Sequence, residues 1–272
     1  FKFLAHARKL SITMLALLAV AAFFAGVIDS IVGGGGLITV PVFLIILGPN
    51  ASAIGSNKVA AVFSQVAAAY VYWREYGKQQ HVDASISKAQ LIARAFISTS
   101  VGAAIGALTA PQLPTWFFRW FIIVIAPLIL TLVLSRGLWR TDRVRTSRPG
   151  LATAATFFAG LYDGIAGPGG GTLMFLSLFA VGGVPAGYAI STGKFANLGS
   201  ALTSLIFYQA QGQVRWDLGL TAGIPIAFGA YLGAHASTQW IKKDQTKDRA
   251  SQIARAALVV VTVLLMVRIL LS

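Results

Sequence analysis

Four ionisable side chains stand where such groups are costly. Asp29 and Asp163 lie inside long apolar runs, and Lys58 and Lys194 open the apolar runs that come next. A carboxylate at membrane depth costs about 2.5–3.5 kcal/mol on insertion scales, so it has to face protein, water or an opposite charge. Such a carboxylate can couple proton or ion movement or hold a cationic gate. It can equally accept backbone N–H bonds from a neighbouring glycine turn and brace a broken helix. Both acids have that turn beside them. Gly33, Gly34, Gly35 and Gly36 follow Asp29, while Gly167, Gly169, Gly170 and Gly171 follow Asp163 with Pro168 interposed.

Glycine permits positive φ and close approach of a ligand to the backbone. Each cluster ends one apolar run and opens a shorter one, so the freed N–H groups form a partial positive charge suited to an anion. Backbone unwinds at membrane depth only where protein or a water-filled cavity surrounds it. Ser56-Asn57 precedes Lys58 and Thr192-Gly193 precedes Lys194. Ser, Thr and Asn are good N-caps, which predicts each lysine in a first helical turn, where the dipole disfavours a cation. Two such lysines make sense if an anion binds between them. Snorkelling to the membrane surface or pairing with Asp29 and Asp163 are the competing readings. Ala61 and Gln65 continue the face of Lys58, and Asn197, Ala201 and Ser204 that of Lys194; these small and polar faces suit a solvated pathway.

The elements that must hold these groups follow from composition. Of 272 residues, 56% are hydrophobic and 11% charged, against about a quarter charged in soluble proteins. That excludes a soluble enzyme, a nucleic-acid module and a disordered chain, and leaves a polytopic membrane protein. The net charge of +14 is carried by short basic clusters between apolar runs. They are Lys2, Arg8 and Lys9; Arg74, Lys78, Lys88 and Arg94; Arg136, Arg140, Arg143, Arg145 and Arg148; and Lys242, Lys243, Lys247 and Arg249. That is the pattern of cytoplasmic loops rather than of a nucleic-acid surface. No cysteine is present, and the three histidines are far apart, so neither a thiolate site nor a histidine metal cluster is expected.

Spans of about 20 apolar residues are predicted at Ile12–Val32, Lys58–Trp73, Ala89–Leu108, Trp116–Leu134, Leu151–Ala166, Lys194–Gln209, Leu218–His235 and Ile253–Leu271. The first lacks a cleavage pattern and is read as a helix that stays. Leu37–Leu47 and Thr172–Val181 are about half as long and read as half-helices or re-entrant segments. The chain also repeats itself. Residues 23–36 match residues 157–170 without a gap, residues 53–58 match 189–194, and residues 102–107 match 229–234. Duplicated halves with glycine-interrupted apolar segments at matching positions point to a secondary transporter with its site between the halves. Gly102/Gly106 and Gly229/Gly233 read as close helix packing.

Orientation is left open at this level. Eight full spans with an internal N-terminus place the loops near Arg74, Arg143 and Arg215 in the cytoplasm but the 242–249 loop outside, against the positive-inside rule. A glycine-broken segment that adds a crossing in one half removes the conflict. An odd number of crossings per half inverts the repeats; an even number keeps them parallel. Gly187–Phe195 imitates a phosphate-binding loop, but its glycines are wrongly spaced and Phe195 stands where Ser or Thr belongs. No HExxH motif or Ser/His pairing supports an intramembrane protease.

These residues resemble the sulfite exporter TauE/SafE family, the TSUP permeases. The resemblance rests on Gly26–Gly36, Pro41 and Gly55-Ser56-Asn57-Lys58, with echoes at Asp163–Gly171 and Thr192-Gly193-Lys194, and covers nearly the whole chain. It implies an inner-membrane permease for small sulfur-containing anions such as sulfite, sulfonates or sulfoacetate. Pro168, and Gly193 where the first half has Asn57, make the two half-sites chemically unequal.

The expected fold is therefore an all-α polytopic membrane protein of two homologous halves, each with about four spans and a glycine-broken half-helix. Residues 1–140 form the first half, 141–150 a basic linker and 151–272 the second half. The expected activity is secondary transport, not enzymatic catalysis, with no cofactor or metal. Lys58, Lys194 and the N–H groups of Gly33, Gly34, Gly35, Gly36, Gly167, Gly169 and Gly170 bind the anion in this reading. Ser30, Ser56, Asn57, Thr192 and Asn197 supply hydrogen bonds, and Asp29 and Asp163 position the lysines or couple protons. The partners are a small inorganic or organic anion, the lipid bilayer and, optionally, a second copy of the chain, with no nucleic acid. The alternatives are a passive anion channel on the same basic site and a membrane subunit that anchors a partner.

Overall fold

The computed structural model describes residues 12–76, 81–83, 86–118, 148–242 and single positions between 120 and 131. The expected span at Ile253–Leu271, most of Trp116–Leu134 and most of the 141–150 linker lie outside the described residues. The architecture is all-α. Helices run over Ile12–Val32 (α1), Gly36–Leu47 (α2), Ala51–Tyr76 (α3), Lys88–Thr109 (α4), Pro149–Ile165 (α5), Gly170–Leu176 (α6), Ala186–Ala210 (α7) and Trp216–Lys242 (α8). A short antiparallel pair, His81–Asp83 with Ile86–Ser87, leads into α4. Among the described residues three helices, α1, α4 and α8, are long and apolar enough to cross a bilayer.

Two boundaries correct the sequence reading. α3 and α7 begin before the lysines, so Lys58 and Lys194 stand roughly two turns inside their helices rather than in a first turn. The cap of α3 is Asn50, whose Oδ1 accepts the Ala53 N–H at 3.1 Å. Pro185 occupies the position before α7. Ser56, Asn57, Thr192 and Gly193 therefore lie within the helices rather than at their caps.

The glycine clusters do break the chain. α1 stops where Gly33 and Gly34 take φ values of +75° and +93°, a left-handed backbone that glycine adopts without strain. Gly167 and Gly169 do the same after α5, at +88° and +74°. The segment after each break turns back. Arg148 N, at the start of α5, donates to Gly182 O just past α6 and its π-helical extension Ser177–Val181, so this hairpin enters and leaves on one face. On the other side α2, 12 residues or about 18 Å long, returns from the break to the start of α3. Gly36 packs against Gly167 and Pro168, so the two loops meet in the middle of the molecule.

Contacts along the helices give their directions. Gly26 lies against Ile226 and Ala230, and Gly233 against Val27 and Ser30, so α1 and α8 are parallel. Gly219 against Val59 and Gly223 against Phe63 make α3 parallel to α8. Gly160 beside Thr99 and Gly164 beside Ala103 make α4 and α5 parallel, and the hydrogen bonds from Thr99 to Ala196 O and from Gln211 to Ala107 O add α7 to that set. The two sets oppose each other, since Gly55 meets Tyr208 while Trp73 meets Phe195 edge-on. Helices that carry matching sequence blocks thus run in opposite senses: α1 against α5, α3 against α7 and α4 against α8.

This arrangement puts Arg74, Lys88, Arg148 and Lys242 at one face, and Arg215 at the other. The α5–α6 hairpin removes the conflict at 242–249 by folding back, whereas the start of α1, parallel to α8, lies at the Arg215 face, opposite to the internal N-terminus assumed in the eight-span count. The small-residue pairs pack as expected: Gly102 and Gly106 sit against α5, and Gly229 and Gly233 against α1, with backbones in direct contact. A side chain at Gly229 collides with the Phe23 carbonyl. Gly229→Val is expected to lower stability by about 1–3 kcal/mol or more, whereas Gly150→Ala, with nothing within 4 Å, leaves the thermal midpoint unchanged. The chain has no native cysteine, so directions are testable by single-cysteine labelling in sealed vesicles. Arg74→Cys and Arg148→Cys should react from one side, and Pro49→Cys and Asp217→Cys from the other.

Candidate functional site

The four isolated charges are each other's partners, and the pairing crosses between the two parts of the chain. Lys58 Nζ donates to Asp163 Oδ2 at 2.8 Å and also to the Asp163 backbone carbonyl. Lys194 Nζ donates to the Asp29 carbonyl at 2.8 Å and lies 3.4 Å from Asp29 Oδ2. All four residues are at most 7% exposed. Each lysine thus holds both the carboxylate and the last carbonyls of the opposite broken helix. A buried ion pair persists when further hydrogen bonds support its carboxylate, and both carboxylates have them. Asp29 also accepts from Gly35 N at 2.9 Å, Gln65 Nε2 at 2.8 Å and Ser64 Oγ at 3.4 Å. Asp163 also accepts from Ser200 Oγ.

The unwound backbone is braced from a second direction. Tyr72 OH donates to Ser30 O at 2.8 Å, and Tyr208 OH to Gly164 O at 2.8 Å. These carbonyls directly follow the two aspartates and sit where the helices end. Ser64, Ser200, Tyr72 and Tyr208 were not singled out from the sequence. The signal was present: each serine and each tyrosine stands at the same distance beyond Lys58 or Lys194, so carrying the internal match forward from the lysines finds them.

A cavity of about 30 Å³, measured as space open to the centre of a water molecule, lies where the glycine loops meet. At roughly 10–15 Å³ per water, it holds two or three waters or one ion of a few heavy atoms. Of the residues expected at an anion site, Lys58, Asn57, Asn197, Gly34, Gly35, Gly36, Gly167, Gly169 and Gly170 line it, with both carboxylates. Thr39, Ser64 and Gln65 complete its polar side, with Ala61 beside them. Lys194, Gly33, Ser30, Ser56 and Thr192 are not among the lining residues. Ser30 Oγ donates to Val27 O, and Ser56 Oγ donates to Ser52 O while accepting Arg215 N–H, so both hydroxyls serve the helices around them. Among the described residues no group of His, Cys, Asp and Glu could hold a metal ion.

A broken, apolar, paired-helix scaffold around a small buried polar cavity is transporter architecture, and comparison with known proteins agrees. The family model described as Sulfite exporter TauE/SafE matches residues 18–269. The chain belongs to this family. It is 30% identical over 269 residues to a "Probable membrane transporter protein ORF9" of Sinorhizobium sp, covering 97% of this chain and 95% of the relative. A "Probable membrane transporter protein" of Haemophilus influenzae is 29% identical over 83% of this chain and 86% of its own length. The "Probable membrane transporter protein YfcA" of Escherichia coli K12 is 27% identical over 94% and 90%. No solved structure matches it. The protein is thus a multi-pass membrane protein of a transporter family.

The charge pairing makes a quantitative demand on this family member. Removing one partner of a buried pair strands the other and costs about 3–5 kcal/mol. Asp163→Asn and Lys58→Met should each be strongly destabilising, while the double variant loses less than the sum. A double-mutant cycle in thermal unfolding measures this; additive losses would show that the pair is not coupled.

Proposed function

We propose that the protein is a secondary transporter of small, sulfur-containing oxyanions such as sulfite or a short sulfonate. It works by alternating access of two inverted halves. The observation that carries this reading is the cavity itself. It is lined by Lys58, by the carboxamides of Asn57, Gln65 and Asn197, and by glycine backbone from both broken helices. Lysine charge, amide donors and glycine N–H groups are the chemistry that replaces the hydration shell of an oxyanion. The family description supplies the sulfur chemistry, and the cavity volume favours an ion of few atoms.

In this mechanism the anion competes with Asp163 for Lys58. Lys58 already spends two of its donors on Asp163, and an ammonium has three. An anion that engages the third weakens the hold of Lys58 on the other broken helix. Binding thereby loosens one of the two ties between the halves. The mirror pair, Lys194 with Asp29, stays closed because its carboxylate keeps Gly35, Gln65 and Ser64 as partners. Rocking of one half against the other then exposes the cavity to the opposite side. The face with Arg74, Lys88, Arg148 and Lys242 is the cytoplasmic one by the positive-inside rule.

Reconstitution in proteoliposomes tests the reading. The wild-type protein should show saturable sulfite uptake and counterflow, which a passive channel does not. Lys58→Ala and Lys194→Ala, which also lower stability by stranding a buried carboxylate, are expected to abolish uptake when rates are normalised to folded protein in the membrane. Wild-type rates in both variants would remove the lysines from the mechanism.

A further inference from the structure

We propose that the cavity selects an oxyanion carrying its own hydrogen-bond donor, and that Gln65 recognises that donor. The inference rests on the anion-site reading above and narrows it to a class: hydrogen-bearing monoanions, such as hydrogen sulfite, in preference to ions with acceptor oxygens alone.

Gln65 is 2% exposed and lines the cavity. Its Nε2 donates to Asp29 Oδ2 at 2.8 Å. That bond fixes the amide, because a flipped side chain would set Oε1 against a carboxylate oxygen, acceptor against acceptor. Gln65 Oε1 is consequently a buried acceptor of known identity, and it has no hydrogen-bond partner within the protein. Asn57 Oδ1, on the same cavity wall, is in the same condition. Buried acceptors are rarely left unpaired in native structures. The cavity is the place from which a partner can come, and an ion that offers only oxygen lone pairs does not provide one.

Charge points the same way. Lys58 and Lys194 are already matched by Asp163 and Asp29, so the site holds no surplus positive charge for a dianion. A proton on the ligand lowers the uncompensated charge and supplies the missing donor at once. The arrangement is also one-sided. The residue at the matching position beyond Lys194 is Ala201, so the acceptor of Gln65 on the α3 wall has no counterpart there, and the amide of the α7 wall, Asn197, stands about one turn away. The ligand is oriented, with its donor toward α3.

Sulfamate and methanesulfonate isolate this feature. Both carry an SO₃ group and a single negative charge at neutral pH, and they differ in an amine in place of a methyl. Titration calorimetry on the purified full chain in detergent is expected to give sulfamate at least about tenfold tighter than methanesulfonate. Gln65→Leu should bring the ratio close to one. Gln65→Asn, which keeps an amide but withdraws it by one methylene, should do the same if the leucine variant does not fold. Equal binding of the two ions by the wild type overturns the proposal and leaves the anion site standing. A ratio that survives in a folded Gln65 variant also overturns it, by placing donor recognition elsewhere. Binding of neither ion overturns the anion-site reading together with this inference.

Discussion

A carboxylate buried within a bilayer cannot be left alone, and this protein answers that constraint twice with one device. Asp29 lies in the last turn of α1, and the lysine that neutralises it comes from α7. Asp163 ends the mirror-related helix, and its lysine comes from α3. Much of the central architecture follows. The glycines let α1 and α5 stop beside their acids, the short returning helices bring the loops together, and Tyr72 and Tyr208 satisfy the carbonyls that the break exposes. The cost of four buried charges is thereby converted into a specific register between elements far apart in sequence.

The sequence disclosed the parts of this arrangement that depend on residue type. Acids inside apolar runs, glycines beside them, and lysines at repeated positions are legible because each is costly or conformationally unusual where it stands. The small-residue pairs on α4 and α8 were equally readable, since Gly102, Gly106, Gly229 and Gly233 leave little alternative to close backbone contact. What depends on through-space geometry was not legible. Whether Lys58 meets an anion, a lipid headgroup or Asp163 is decided by a partner more than a hundred positions away. The first-turn reading of both lysines failed because Ser56-Asn57 looks like a cap, while the working cap, Asn50, sits behind a Gly-Pro turn. Helix direction was hidden for a similar reason. Basic clusters report which loops share a face only once the re-entrant segments are known not to cross.

The two half-sites share their charged framework and differ in everything that lies over it. Asn57 corresponds to Gly193, Ala61 to Asn197 and Gln65 to Ala201 by distance from the lysines. Each pair places an amide on one side and a small residue on the other. The lysines, aspartates, serines and tyrosines tie the two sets of helices together. On the proposed anion reading, the amides supply the unlike walls that a small ion with unlike ends needs.

The close glycine contacts also bear on how the protein is made. α1 packs against α8, and α4 against α5, so the principal partners of the outer helices of the first half belong to the second. A chain that holds only its first half has Asp29 without Lys194, and α1 and α4 without their principal packing partners. The central register is complete only once α7 and α8 are in place.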